Sequence, residues 1–200
     1  MNFIFIILTF LISSVIARIL IPRILLISLR KKLFDIPDDR KIHKRAIPRL
    51  GGVSFFPTTL FAFCLVYAFR LLDGDSISTL YASYLLPELL LFACGMTLLY
   101  LTGIADDLVG VRYRQKFAIQ IFCACLFPLS GLWINDLYGL FGIHELSAYV
   151  GIPFTVLTVV FITNAINLID GIDGLASGLS SVALLVFTFL FISKGLWSYA

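Results

Sequence analysis

Asn164-Ala-Ile-Asn-Leu-Ile-Asp-Gly-Ile-Asp-Gly-Leu-Ala-Ser-Gly178 joins two apolar runs, residues 148–168 and 176–193, neither of which carries a charged side chain. Crossing about 30 Å of hydrocarbon takes roughly 20 helical residues, and both runs are close to that length. The linker between them is of another kind, with two asparagines, two aspartates and three glycines within fifteen residues. Polar and ionisable groups at a membrane are costly, so each one raises a question of function.

Working outward, four more apolar stretches stand at 3–27, 51–70, 86–104 and 116–131. The chain has 200 residues, 60% hydrophobic and 14% charged, with a mean hydropathy of +1.01. A soluble domain is nearer half apolar and a quarter charged. The fold expected is therefore all-α, a polytopic integral membrane helical bundle of about six transmembrane helices. Residues 1–200 read as a single transmembrane domain with no soluble module, low-complexity tract or internal repeat. The first run has no Lys or Arg ahead of it and its positive charges follow it, so it reads as a first crossing helix and not as a cleaved leader. Arg18 and Arg23 would snorkel toward the interface, and Pro22 is a candidate kink. All four cysteines (Cys64, Cys94, Cys123 and Cys125) fall inside apolar spans and read as buried small hydrophobes, with no zinc site and no disulfide.

Charge distribution sets an expected orientation. The segment from Arg30 to Arg49 holds eight cations, and Arg112, Arg114 and Lys116 follow the third span. The alternate loops, 71–85 and 132–147, have no Lys or Arg, and Gly139-Leu-Phe-Gly142 reads as a plain turn. Cations mark cytoplasmic loops, so the amino terminus is expected outside, with the loops near 28–50, 105–116 and 169–175 on the cytoplasmic face.

Three motifs share that face. In Gly103-Ile-Ala-Asp-Asp-Leu-Val-Gly110, Asp106 and Asp107 end an inward-running helix. The helix dipole is negative there, and two acids at a negative pole invite a cation. A divalent ion with hard oxygen ligands is one reading; two solvated acids pairing with Arg112 or Arg114 is the other. Asp170 and Asp173 repeat the arrangement at the end of the fifth span. Asn164, Asn167 and Asp170 share a face if the helix continues, with Gly171 and Gly174 letting the backbone turn. The asparagines serve either a ligand or interhelical hydrogen bonds. The amino end of the sixth helix offers free N–H groups, a seat for phosphate. The remaining motif runs from Asp35 to Gly52 and interleaves Asp38, Asp39, His43, Lys44, Arg49 and Gly51-Gly52. Its cations suit anionic lipid heads. The interleaving suits an ordered loop in which Lys44 and Arg49 bind phosphate.

DRKIHKRAIPRLGG (39–52), GIADDL (103–108) with the later Lys116, and NAINLIDGIDGLASG (164–178) together resemble the polyprenyl-phosphate N-acetylhexosamine-1-phosphate transferase family. The wording of the first motif is closer to the WecA and TagO branch, which uses UDP-N-acetylglucosamine, than to the MraY branch, which takes UDP-MurNAc-pentapeptide. The resemblance implies transfer of a sugar 1-phosphate from a UDP-amino sugar to undecaprenyl phosphate, with release of UMP, in the bacterial cytoplasmic (inner) membrane. It implies Mg²⁺ or Mn²⁺ as cofactor and no nucleic-acid partner, with membrane lipid around the helices; a homodimer is compatible with it. The residues it implies are Asp106, Asp107, Asp170 and Asp173 for catalysis. Asp106, Asp107 and Asp170 would hold the metal, and His43, Lys44, Arg49, Lys116, Asn164 and Asn167 the substrates. Family members carry further helices and a later metal-binding aspartate, so the expectation is the N-terminal part of a longer fold, inactive alone. Two other classes stay open. An ion-coupled transporter would place its acids near the bilayer midplane, whereas these sit at one interface. A non-catalytic membrane scaffold would not need the acids at all.

Overall fold

The computed structural model describes residues 2–31, 33–35, 47–48, 50–72, 76–169, 174–197 and 199. Its elements, in chain order, are α1 (Asn2–Arg30), β1 (Phe34–Asp35), β2 (Ile47–Pro48), a 3₁₀ turn (Gly51–Ser54), α2 (Phe55–Leu72), α3 (Ser76–Val109), α4 (Tyr113–Leu129), a second 3₁₀ turn (Leu140–Gly142), α5 (Ala148–Ile169) and α6 (Leu175–Ser193). Each predicted span coincides with a helix, and the protein is a polytopic α-helical membrane protein. Among the described residues five helices are by themselves long and apolar enough to cross a membrane: Phe3–Arg30, Gly52–Leu72, Leu85–Val109, Ala148–Ile169 and Leu175–Ser193. The stretch predicted at 116–131 is the 17-residue α4. Arg114 and Lys116 occupy its first turn, and its last turn ends at Gly131, whose φ of +91° leaves the helix.

The chain divides into two compact units, Met1–Leu72 with Ala165–Ala200, and Asp73–Asn164. In the first unit α1 and α2 pack antiparallel. The Arg70 guanidinium lies 5.9 Å over the Phe5 ring near one end, and the 3₁₀ turn at the start of α2 meets α1. The residues at the seam are small. Ala62 and Val66 of α2 are buried, as are Ser28, Ser54 and Thr58. Small side chains let membrane helices approach closely, because lipid tails supply no hydrophobic drive for association. Ser28 settles its buried hydroxyl by donating to the Leu33 carbonyl at 2.9 Å, and Thr58 donates to the Ser54 carbonyl at 2.8 Å. Trp197, just past α6, stacks edge-on against Phe3 at the start of α1, ring centroids 4.8 Å apart.

The second unit is built from α3, α4 and most of α5. Three contacts fix α3 and α4 as an antiparallel pair: Asp106 with Lys116, the Cys123 thiol donating to the Gly95 carbonyl at 3.4 Å, and Phe92 edge-on to Phe127 at 6.1 Å. A Cβ at Gly95 would touch Leu126 at 3.4 Å, so the glycine sets the close approach. Cys123 and Ala124 are buried there. The four thiols do not behave alike: Cys123 is buried and Cys125 half-buried, whereas Cys64 and Cys94 face outward. Periodicity in an all-apolar helix does not separate a lipid-facing position from a helix-facing one, which is why the sequence misplaces them. Exposed large apolar side chains cover every long helix, among them Phe10, Phe61, Leu101, Phe161 and Phe189. Such a surface is untenable in water and ordinary in lipid.

Candidate active site

Local chemistry places Asp106. Gly110 takes a left-handed φ of +74° and donates its N–H to the Asp106 carbonyl at 2.9 Å. That closes α3 in the way glycine commonly ends a helix. Two residues on, Arg112 is extended (φ −61°, ψ 140°) and starts α4, accepting at its carbonyl from the Gln115 and Lys116 N–H groups. The link between the helices is therefore only three residues long. It folds the first turn of α4 back beside the last turn of α3.

The result is a charged pair at that end of the unit. Lys116 Nζ donates to Asp106 Oδ2 at 2.5 Å, and the Val111 N–H donates to Asp106 Oδ1 at 2.9 Å. Both side chains are about one-third exposed, Lys116 at 34% and Asp106 at 32%. The pair is accessible to a ligand and is held from two sides. Of the two readings left open for this motif, the acid finds its cation ten residues along the chain, in Lys116. Asp107 is half-buried beside it.

One turn further along α4 lies Gln120, which the motif reading passed over. Its Oε1 accepts from Asn164 Nδ2 at 2.8 Å, and the same Nδ2 donates to the Val160 carbonyl at 2.8 Å. Asn164 thus makes the interhelical hydrogen bond that was one of its two expected uses. A signal existed: Gln120 is the amide four residues after Lys116, on the same helix face, inside an otherwise apolar span. Asn167, near the end of α5, is exposed. Between α3, α4 and α5 a void of about 40 Å³ is bordered by Gly95, Gln120, Cys123, Leu126 and Thr163. That suits one water and is far below the 300–1,000 Å³ of a typical ligand site.

In the first unit β1 pairs with β2 antiparallel, Phe34 opposite Pro48 and Asp35 opposite Ile47, which clips together the two sides of the cationic loop. The 3₁₀ turn at Gly51–Ser54 then feeds α2 directly. His43, Lys44 and Arg49 lie outside the described residues, as do Asp170, Gly171 and Asp173. Gly174 is described. It enters α6 at φ +79° and accepts at its carbonyl from the Gly178 N–H at 2.9 Å and the Ser177 hydroxyl at 3.2 Å. The expected backbone turn is therefore present at this glycine.

For a divalent cation the donors are of the right kind. Carboxylate oxygens are hard ligands suited to Mg²⁺. Among the described residues no group of three or more His, Cys, Asp or Glu side chains is gathered for a metal. Asp106 already accepts one hydrogen bond on each oxygen, although each oxygen has a second lone pair.

The sequence model of glycosyl transferase family 4 matches residues 89–200. A probable undecaprenyl-phosphate N-acetylglucosaminyl 1-phosphate transferase of Bacillus subtilis is 30% identical over 95% of this chain and 49% of its own. An undecaprenyl-phosphate alpha-N-acetylglucosaminyl 1-phosphate transferase of Thermotoga maritima is 32% identical over 76% of this chain and 41% of its own. A phospho-N-acetylmuramoyl-pentapeptide-transferase of Staphylococcus carnosus is 29% identical over 95% of this chain and 60% of its own. The chain spans about half the length of the curated relatives it matches. No solved structure matches it significantly.

Proposed function

We propose that this chain, which belongs to glycosyl transferase family 4, takes part in transferring N-acetylglucosamine 1-phosphate from UDP-N-acetylglucosamine to undecaprenyl phosphate, with release of UMP. The observation that carries the reading is the Asp106–Lys116 pair, an accessible ammonium held by a carboxylate at one end of the α3–α4 hairpin. The names of the Bacillus subtilis and Thermotoga maritima relatives supply the sugar and the lipid. A second reading keeps the same reaction with a MurNAc-pentapeptide donor and rests on the Staphylococcus carnosus relative.

The acceptor phosphate monoester has a second pKa near 6, so at pH 7 it is largely a dianion and needs no strong base. Its oxygen attacks the sugar-linked phosphorus of the donor. A new P–O–P bond forms, the old one breaks, and UMP leaves with the electron pair. Two anions must approach, so positive charge and alignment are what the protein must provide. Lys116 has three donors and spends one on Asp106. The other two can hold the acceptor phosphate while Asp106, fixed by the Val111 N–H, keeps the ammonium in place.

Asp106, Asp107 and Asp170 are the proposed metal carboxylates. A bound Mg²⁺ or Mn²⁺ supplies charge neutralisation at the pyrophosphate and at the leaving UMP. Asp173 completes the catalytic acids. His43, Lys44, Arg49, Asn164 and Asn167 are proposed to bind the UDP-sugar. In the bacterial cytoplasmic membrane, the cation-rich motif loops would face the cytoplasm, where UDP-sugars are made.

Membranes containing this chain continued by the further helices that family members carry should release UMP from UDP-N-acetylglucosamine only when undecaprenyl phosphate and a divalent cation are both present. Asp107→Asn should abolish that release. Release that continues in EDTA, or that ignores undecaprenyl phosphate, rules the proposal out.

A further inference from the structure

The segment joining α4 to α5, expected to be a turn, is a folded hairpin. Asp136 bridges Glu145 in antiparallel fashion. The Leu137 N–H donates to the His144 carbonyl at 3.0 Å, the Gly139 N–H to the Ile143 carbonyl at 2.9 Å, and the Leu146 N–H to the Asn135 carbonyl at 2.8 Å. Asp136 Oδ1 accepts from the Tyr138 N–H at 2.6 Å. The base of the hairpin is seated on α5. The Ile134 N–H donates to Thr155 Oγ1 at 2.9 Å, and Trp133 lies flush against Gly151.

Its depth follows from α4. From Phe117 to Leu129 the apolar part of α4 rises only about 20 Å at 1.5 Å per residue, roughly 10 Å short of the hydrocarbon thickness. Phe127 is level with Phe92, whereas the crossing part of α3 continues to Leu85. Trp133 and Ile134 lie beside Gly151 and Thr155, inside the crossing helix Ala148–Ile169. Irregular backbone at that depth is tolerated when its polar groups are bonded within the protein, and the Ile134 N–H meets this through Thr155 Oγ1.

The tip is apolar and unpacked. Tyr138 is 87% exposed, Phe141 89% and Leu140 57%, while nearby Tyr149 is 93% exposed. Tyr138 and Phe141 hold left-handed backbone at φ +51° and +56°. Bulky residues avoid that region unless their surroundings impose it, yet neither side chain is packed within the chain. Residues 130–147 contain no Lys or Arg, and their titratable side chains are Asp136, Tyr138, His144 and Glu145.

We propose that residues 130–147 form a membrane-interface anchor. Tyr138, Leu140 and Phe141 lie in the headgroup–acyl boundary of the leaflet remote from Asp106–Lys116, and the hairpin completes the crossing that α4 leaves unfinished. Aromatic side chains gather at that level of a bilayer. The occupant of the exposed patch is lipid, since the patch continues the lipid-facing surface of α5 and has no charge to greet a polar partner. By fixing the depth of α4 it fixes the depth of Lys116 at the other end, so the anchor holds the proposed site at its own interface. This consequence rests on the reading of Lys116 above; the anchor itself does not.

The test is photo-crosslinking of the full chain in vesicles of phosphatidylethanolamine and phosphatidylglycerol, with Phe141 replaced by p-benzoylphenylalanine. Phe161, an exposed residue of crossing helix α5, carries the same replacement as reference. The expected product is a lipid adduct in yield comparable with that at Phe161. A covalent bond to a second copy or to another protein overturns the proposal, and so does a yield reduced to background, which marks a patch in water. A label at Leu140 gives the same decision if the Phe141 variant does not insert. None of these outcomes depends on transferase activity.

Discussion

Lys116→Met separates a structural role for the Asp106–Lys116 pair from a catalytic one. The substitution removes the ammonium and keeps most of the apolar stem. Because both partners are about one-third exposed, the pair is screened and contributes at most about 1 kcal/mol to stability. Asp106 is not orphaned by the change, since the Val111 N–H still donates to it at 2.9 Å. Unfolding by SDS titration in mixed micelles should therefore shift by less than about 1 kcal/mol. Catalysis should respond far more. Hydrogen bonds to charged groups are worth about 1.5–3 kcal/mol, so losing Lys116 from the acceptor phosphate should cut kcat/KM for undecaprenyl phosphate by about 10- to 150-fold. Two results would refute the reasoning. A stability loss of about 3–5 kcal/mol would show that the pair behaves as a buried one. Unchanged kcat/KM would remove Lys116 from the reaction.

Two further experiments probe the scaffold. In Gly151→Ala the new Cβ would stand 2.5 Å from the Ile134 carbonyl oxygen and 2.5 and 2.6 Å from Trp133 ring carbons; neither backbone nor a seated indole yields easily. Overpacking costs about 1–3 kcal/mol, and disturbing the Ile134–Thr155 hydrogen bond about 1 more, whereas Gly103→Ala, with nothing within 4 Å, should be nearly silent in the same SDS titration. For Gln120 and Asn164, a double-mutant cycle with Leu at both positions should return a coupling of about 0.6–1.7 kcal/mol, and a coupling of zero would mean that the 2.8 Å contact adds nothing.

The parts of this protein legible in its sequence are those governed by rules of one dimension. A run of apolar residues long enough for the bilayer must be helical, because lipid offers nothing else to satisfy the backbone. The runs at 3–27, 51–70, 86–104, 148–168 and 176–193 all became crossing helices. Gly174 was readable as a turning point, and it takes positive φ. The motif acids were readable because a carboxylate beside hydrocarbon demands a reason. The fourth run is also helical, but a count of apolar residues cannot register that this helix stops short and hands its last turns to a hairpin.

Pairing was left to the tertiary structure. Sequence offered Arg112 and Arg114 as partners for the acids. Only the three-residue link after Val109, with the antiparallel register of α3 and α4, selects Lys116 for Asp106. The bond between Gln120 and Asn164 joins residues 44 apart in sequence and depends on how two helices are rotated about their axes. Hydropathy cannot fix that rotation when lipid-facing and helix-facing residues are equally apolar. Composition and length therefore determine that the chain crosses a membrane and where its polar loops begin. Which carboxylate meets which cation, and how α4 reaches the second interface, follow from helix register and rotation, which close packing of small side chains sets in three dimensions.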